Sequence, residues 1–139
     1  MLPKEVFLSH ATEDRATADR IAASLRAHGI AVWYAPHAIL AAQQWHDEIG
    51  AALRRCDWFV LLLSPASVAS MWVKRELCYA LEQQRYWNRI SPLLLGPCDF
   101  GELSWTLSSI QMLDFAASAD AALTTLLRPW GILFQNQIS

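Results

Sequence analysis

Short apolar runs alternate with longer amphipathic segments along almost the whole chain of 139 residues. Five runs have the length and composition of β-strands, namely residues 5–9, 30–34, 57–63, 90–95 and 110–113. Four segments carry apolar residues at helical spacing, namely residues 14–28, 44–55, 68–87 and 117–127. Strands that alternate with helices need right-handed crossovers, which give a parallel sheet with helices on both faces. The pattern therefore predicts a single α/β domain of the flavodoxin-like kind, with three layers and a five-stranded parallel sheet.

The third run predicts the centre of this sheet. Residues 57–63 read Asp-Trp-Phe-Val-Leu-Leu-Leu, close to the continuous hydrophobic pattern of a parallel strand buried on both faces. The fourth run contains Pro92, which cannot donate to a sheet, so we expect it near the start of its strand or on an edge. Gly29 follows the first helical segment, in the position where a left-handed residue ends many helices.

Composition excludes several classes of protein. Hydrophobic residues make up 54% and charged residues 17% of the chain, so we expect a packed domain. The net charge of −2 argues against a general nucleic-acid binder, and the longest apolar run is too short to cross a bilayer. The three cysteines lack the spacing of a disulfide framework or a zinc site. The start of the chain has no signal-peptide pattern. We expect a soluble cytoplasmic protein that binds no metal ion, membrane or nucleic acid. Residues 1–130 are expected to form one domain, and residues 131–139 a tail or linker stub.

Several common enzyme motifs are missing. The chain has no Gly-x-Ser-x-Gly elbow, and Ser9 and His10, being adjacent in sequence, are poorly placed to act as nucleophile and base. It also lacks the Gly-x-Gly-x-x-Gly pattern of dinucleotide-binding dehydrogenases and the glycine-rich loop of P-loop NTPases. A response-regulator receiver needs an aspartate at the end of its third strand, where this chain has Ser64.

The most informative segment follows the third strand and contains Trp72 and Glu76. Side chains four residues apart share one face of a helix, and ligands of open parallel sheets bind beyond the carboxyl ends of the strands. An aromatic ring and a carboxylate are therefore expected at that edge, suited to a flat ligand that develops positive charge. The alternative interpretation packs Trp72 inward and leaves Glu76 solvated. Ser70 is expected either to cap this helix or to contact an anion near its start.

Taken together, four sequence patterns resemble the Toll/interleukin-1 receptor (TIR) domain family, in its bacterial branch, over residues 4–130. They are Val-Phe-Leu-Ser-His at residues 6–10 followed by Glu-Asp, Gly-Ile-Ala-Val-Trp-Tyr-Ala-Pro at 29–36, Cys-Asp-Trp-Phe-Val-Leu-Leu-Leu-Ser at 56–64, and Ser-Met-Trp-Val-Lys-Arg-Glu-Leu-Cys-Tyr-Ala-Leu at 70–81. Many bacterial members cleave NAD⁺ to nicotinamide and either ADP-ribose or a cyclic ADP-ribose isomer. Their catalytic glutamate lies in a Trp-x-x-x-Glu pattern, which corresponds here to Trp72 and Glu76.

The resemblance implies an NAD⁺ nucleosidase with NAD⁺ as substrate and no cofactor. It implies catalysis by Glu76 and a substrate site made of rings, hydroxyls and one guanidinium: Phe7, Ser9, His10, Arg15, Trp33, Tyr34, Ser70 and Trp72. The rings are expected to sandwich nicotinamide or adenine, and Arg15 to meet the diphosphate. The chemistry agrees, because nicotinamide leaves a cationic pyridinium as a neutral molecule. It needs no general acid, so one carboxylate suffices where ordinary glycosidases use two.

The resemblance also implies assembly with other TIR domains through the loop after the second strand. The assembly residues expected there are Ala35, Pro36, Ile39, Leu40 and Trp45. Where the family often has Pro-Gly, this chain has Ala41 and Ala42, so the loop should be stiffer or differently shaped. The expected setting is bacterial antiphage immune signalling, and a sensor domain or protein outside this chain is a further expected partner. A non-catalytic TIR–TIR adaptor is the alternative, and a binding domain for a cyclic nucleotide-like messenger is a third hypothesis.

Overall fold

A five-stranded parallel sheet forms the middle layer of the computed structural model, which describes residues 1–35 and 42–136. The strands, in chain order, are β1 (Val6–Ser9), β2 (Val32–Trp33), β3 (Trp58–Leu63), β4 (Ile90–Leu94) and β5 (Leu113–Asp114). They are ordered β2-β1-β3-β4-β5, and every adjacent pair is parallel. The predicted α/β fold, with its parallel sheet and β3 at the centre, is confirmed.

Five α-helices accompany the sheet within the residues that the structure describes. They are α1 (Arg15–Ala27), α2 (Ala42–Arg55), α3 (Pro65–Val68), α4 (Met71–Glu82) and α5 (Ala119–Leu127). Gly29 lies just beyond α1 with φ of 82°, in the left-handed conformation expected of it. The side chains of the strands alternate between two cores, as a period of two requires. Val60 and Leu62 face the core under α1 and α5, whereas Phe59 and Leu61 face the core under α2 and α4.

The single helix predicted over residues 68–87 is wrong. Ser64 and Ser67 form a capping box around Pro65, so α3 starts earlier than predicted and occupies one turn. Ser70 then caps a separate helix, α4, by accepting a hydrogen bond from the Val73 amide. Helix α4 ends at Glu82, and the backbone of the next residue, Gln83, is extended. Local side-chain capping therefore divides a stretch whose apolar periodicity is continuous.

The second and fifth strands are shorter than predicted. Only two residues of the predicted strand 30–34 pair with β1, and β5 starts at Leu113 rather than at residue 110. Strand β4 pairs with β3 along its whole length but with β5 only at Leu93 and Leu94. Pro92 therefore lies where the outer side of β4 is not covered by β5, which confirms the expected edge position.

The C-terminal residues return to the α1 and α5 side of the sheet. Ile132 and Phe134 pack against that core, and the backbone N–H of Gln135 donates to His28 Nε2 at 2.9 Å. The predicted boundary at residue 130 stays a prediction. Among residues 1–35 and 42–136, no helix is both long and apolar enough to cross a membrane.

Candidate functional site

The buried pair Ser9 and Glu76 lies at the carboxyl end of the central strands. Ser9 is the last residue of β1 and is 1% exposed. Glu76, in the second turn of α4, is 7% exposed. The Ser9 hydroxyl donates a hydrogen bond of 2.7 Å to Glu76 Oε1. The serine thereby holds one carboxylate oxygen in place.

Glu76 occupies a position that packing would ordinarily give to an apolar side chain. The buried positions of α4 are Val73, Glu76, Leu77 and Ala80, a single stripe at helical spacing that faces the sheet. Burial away from water disfavours the charged carboxylate and raises the pKa of Glu76 to about 7, while the hydrogen bond from Ser9 acts in the opposite direction. A buried carboxyl that is easily protonated near neutral pH is typical of functional sites.

Trp72 lies one turn before Glu76 and is 43% exposed. The guanidinium carbon of Arg75 lies 5.7 Å from the centre of its ring. The alternative interpretation, with Trp72 inward and Glu76 solvated, is therefore wrong on both counts. The exposed ring is available to a flat ligand, next to a carboxylate that packing has desolvated.

Trp72 and Glu76 line one cleft of about 430 Å³ between α2 and α4. Its lining residues are His46, Ile49, Gly50, Leu53, Arg54, Trp72, Arg75, Glu76 and Tyr79. This volume falls within the range of small-molecule sites. Sequence reasoning missed the contribution of α2. The signal was present in His46, Gly50 and Arg54, which repeat every four residues and so share one helical face.

A second polar cluster surrounds Tyr34, just beyond β2. The Tyr34 hydroxyl donates to Asp19 Oδ1 at 2.7 Å, and Arg15 Nε lies 3.2 Å from the same oxygen. The Arg15 guanidinium also donates to the Ala35 carbonyl and lies over the Tyr34 ring, 4.6 Å from its centre. Arg15 therefore holds the start of the loop that follows β2. Its assignment to the diphosphate stays a prediction.

His10 belongs to the same cluster. Its ring meets the edge of Tyr34 at a centroid distance of 5.8 Å. Burial, and then the nearby charge of Arg15, lower the pKa of His10, so its imidazole is mainly neutral at pH 7. A neutral ring beside a tyrosine can donate or accept a hydrogen bond at the rim of the sheet.

The remaining predicted site residues lie in two different environments. Phe7 is buried, with its ring centre 5.2 Å from that of Trp33 and 5.5 Å from that of Phe59. Trp33 is half-buried against the same core. Ser70 caps α4, as described above. Their roles in binding substrate stay predictions, and for Phe7 and Ser70 the structure adds a packing or capping role.

The predicted assembly residues are only partly within the described chain. The Ala35 carbonyl accepts from Arg15, and Trp45 packs against the core under α2 and α4. Pro36, Ile39 and Leu40 lie outside the described residues, as does Ala41. Within the part of the chain that the structure describes, no group of three or more His, Cys, Asp and Glu side chains is placed to hold a metal ion.

Comparison with known proteins gives one family. A family model described as "TIR domain" matches residues 6–127. The TIR domain of the Toll-related receptor TRR-2 from Hydra magnipapillata has a similar structure, with a TM-score of 0.67 and 21% identity, covering 89% of this chain and 88% of that one. The TIR domains of the activated Roq1 resistosome, which directly recognises the pathogen effector XopQ, give a TM-score of 0.57 and 19% identity over 90% and 78%. A search of curated protein sequences gave no significant match.

Proposed function

Because the chain belongs to the TIR domain family, whose model covers residues 6–127, we propose that it cleaves the nicotinamide–ribose bond of NAD⁺ with Glu76 as the essential carboxylate. The products are nicotinamide and either ADP-ribose or a cyclic ADP-ribose isomer, depending on whether water or an adenine nitrogen attacks the ribose. One observation carries this proposal. Glu76 is a buried carboxylate at the carboxyl end of the sheet, held by Ser9 and placed in one cleft with the exposed ring of Trp72.

The reaction requires few catalytic groups from the protein besides this carboxylate. Bond cleavage releases neutral nicotinamide and leaves positive charge on the ribose, which an ionised Glu76 stabilises from a partly desolvated position. A charge pair at 4 Å with an effective dielectric near 20 is worth about 4 kcal/mol. Felt mainly in the transition state, that energy corresponds to roughly a thousandfold in rate.

The charge of Glu76 is not already neutralised. Within residues 1–35 and 42–136, no cation lies within ion-pair distance of its carboxylate, and its one hydrogen-bond donor is the uncharged Ser9. An ionised Glu76 therefore has its strongest available partner in a cationic ligand. This supports a role in stabilising positive charge over a role as a structural ion pair.

Assembly with further TIR domains is the second part of the proposal. The similar TIR domains of the Roq1 resistosome belong to an activated complex that recognises a pathogen effector. By analogy, we infer a bacterial immune effector whose activity rises when copies of the chain associate, with NAD⁺ loss or a cyclic product as its output. Specific activity that does not change with protein concentration would count against this part.

The direct test is NAD⁺ turnover, followed by chromatography at high protein concentration. We expect cleavage by the native chain and a loss of about a thousandfold in Glu76→Gln. The matched control is Glu82→Gln, which makes the same change at an exposed carboxylate of the same helix and should cleave like the native chain. The product peak separates hydrolysis from cyclisation. Equal cleavage by Glu76→Gln would remove Glu76 from the mechanism, and no cleavage by any chain would favour a non-catalytic assembly module.

A further inference from the structure

The last described residues form a strap beside α1 and α5, on the face of the sheet opposite to the Glu76 cleft. After α5 the chain turns at Gly131, whose φ is 72°, and continues without helix or strand through residues 132–136. Ile132 and Phe134 pack against the core under α1 and α5, whereas Leu133 between them is 85% exposed. Such alternation is typical of a segment that lays one side on the protein. We call residues 132–136 the C-terminal strap.

One histidine holds the outer half of the strap. The backbone N–H of Gln135 donates to His28 Nε2 at 2.9 Å, and His28 Nδ1 lies 2.6 Å from the Ser24 carbonyl oxygen. The Phe134 ring stacks on the imidazole at a centroid distance of 5.5 Å and an angle of 20°. Among the described residues, the bond to His28 is the one hydrogen bond made by the backbone of Leu133, Phe134 and Gln135. The position of this half of the strap therefore depends on His28.

The two partners of the His28 ring fix its protonation state. A backbone carbonyl only accepts hydrogen bonds, so Nδ1 carries a hydrogen. A backbone N–H only donates, so Nε2 presents its lone pair. His28 is therefore neutral while the strap is docked. A second proton would bind at Nε2 and would place two N–H groups against each other across 2.9 Å. That separation holds one hydrogen between the two nitrogens and leaves no room for another.

The charges around His28 do not hold it in one protonation state. The charged residues on the elements beside it are Arg15, Asp19, Arg20 and Arg26 of α1, Asp120 of α5 and Arg128 just after α5. Among the described residues, neither acid is within ion-pair distance of His28. Asp19 pairs with Arg15, and Arg26 donates to a backbone carbonyl of β2 at 2.8 Å. Residues 131–136 carry no charge. His28 is half-buried, so a proton from water reaches it without unfolding of the domain.

We propose that the C-terminal strap is an acid-released latch, which is docked while His28 is neutral and leaves the α1–α5 face when His28 takes up a second proton. Histidine ordinarily changes its charge between pH 5 and 8, so release falls in that range or just below it. Phe134 lines a groove of about 490 Å³ between α1 and α5, and its departure opens that groove on one side. The latch makes the surface of α1 and α5 depend on pH. It does not rest on the proposed cleavage of NAD⁺.

Hydrogen exchange at the Gln135 amide measures the latch directly. The protection factor compares the observed exchange rate with the intrinsic rate at the same pH. For Gln135 in the native chain it should fall about fivefold or more between pH 8 and pH 5, as for the loss of one hydrogen bond. The amides in the middle of α5 are the internal control and should keep their protection, which excludes unfolding of the whole domain. A protection factor of Gln135 that is equal at both pH values overturns the proposal.

Two substitutions at His28 separate its charge from its shape. His28→Gln keeps an oxygen that accepts from the Gln135 amide and does not titrate, so protection should persist at pH 5. His28→Lys supplies donors and a positive charge only, as a protonated histidine does, so protection should be lost at both pH values. The control is His46→Gln, which removes a histidine from α2 and should keep the native fall in acid. Acid release in His28→Gln, or a docked strap in His28→Lys, would show that another group controls the strap.

The tautomer of His28 gives a readout that needs no substitution. Nitrogen NMR of the imidazole at pH 8 should show a protonated Nδ1 and a bare Nε2. Both nitrogens should be protonated at pH 5, and the change should follow the loss of Gln135 protection point by point. A ring protonated at Nε2 at pH 8, or a ring that titrates while Gln135 stays protected, contradicts the latch.

Discussion

Glu76 and Asp19 are carboxylates at the same end of the molecule in opposite surroundings. Asp19 is exposed and has two partners, the Tyr34 hydroxyl at 2.7 Å and Arg15 Nε at 3.2 Å. Glu76 is buried and has one uncharged partner, Ser9. The hydrogen bond from Tyr34, followed by the charge of Arg15, lowers the pKa of Asp19, whereas burial raises the pKa of Glu76.

The difference separates a carboxylate that supports structure from the one to which we assign the proposed chemistry. The charge of Asp19 is satisfied within the fold and helps to hold Tyr34 beside the loop that begins at Ala35. The charge of Glu76 is desolvated without an opposite charge nearby, which destabilises the folded chain whenever the carboxyl is ionised. Such unpaired groups are retained at sites where they act on a ligand.

The largest expected effect is on the pH dependence of stability. Because folding raises the pKa of Glu76 from 4.5 to about 7, the folded chain holds this proton more tightly than the unfolded chain. Its contribution to stability is complete below pH 4.5, falls as the pH rises and is lost above about pH 7. Glu76→Gln lacks this titration, so its free energy of unfolding should exceed that of the native chain by roughly 3 kcal/mol more at pH 8 than at pH 4.

Urea unfolding of both chains at the two pH values measures this difference, since contributions from other groups cancel in the comparison. Glu82→Gln, at an exposed position of α4, is the control and should follow the native chain. If the curves of Glu76→Gln and the native chain remain parallel from pH 4 to pH 8, Glu76 is not the desolvated group that the contrast with Asp19 requires.

The next effect concerns the single partner of Glu76. The Ser9 hydroxyl favours the ionised carboxyl, so Ser9→Ala should raise the pKa of Glu76 further. With the ionised form active, the acid limb of kcat/KM for NAD⁺ should move upward by about one pH unit. Activity then falls about fivefold at pH 7 and approaches the native value at pH 9. Ser9→Thr, which keeps the hydroxyl, should restore the native limb. A loss that is uniform across pH would assign Ser9 a packing role only.

Parts of this contrast were predictable from the sequence. The apolar run of β3 predicted the centre of the sheet, and the spacing of Trp72 and Glu76 predicted that they share one cleft. The burial of Glu76 was also within reach, because it falls between Val73 and Leu77 in a stripe whose other members are apolar. The helix boundaries near Ser64 and Ser70 were missed because capping by side chains outweighs the continuous periodicity on either side.

Other parts depend on contacts between segments that are distant in the chain. Whether Arg15 meets a ligand or Tyr34 is decided by where β2 places Tyr34 relative to α1, which no local pattern specifies. The shortness of β5 follows from its pairing with Leu93 and Leu94 alone. The contribution of α2 to the cleft requires knowing that α2 and α4 cover the same face of the sheet. These are properties of packing rather than of sequence periodicity.

The smallest expected effect is the contribution of Asp19 to the free energy of unfolding. A lowered pKa means that Asp19 stabilises the folded chain above its ordinary value of 3.8, and that this contribution disappears as the pH falls below that value. The effect of Asp19→Asn on the free energy of unfolding should therefore be a modest loss at pH 7 that vanishes in acid, opposite in pH dependence to Glu76→Gln. Tyr34→Phe removes the same hydrogen bond from the other side and should show the same trend.

Because Asp19 makes no contribution to the pKa of Glu76, Asp19→Asn should leave the acid limb of kcat/KM for NAD⁺ in place. A shift of that limb would show that the two carboxylates form one coupled site instead of two separate ones.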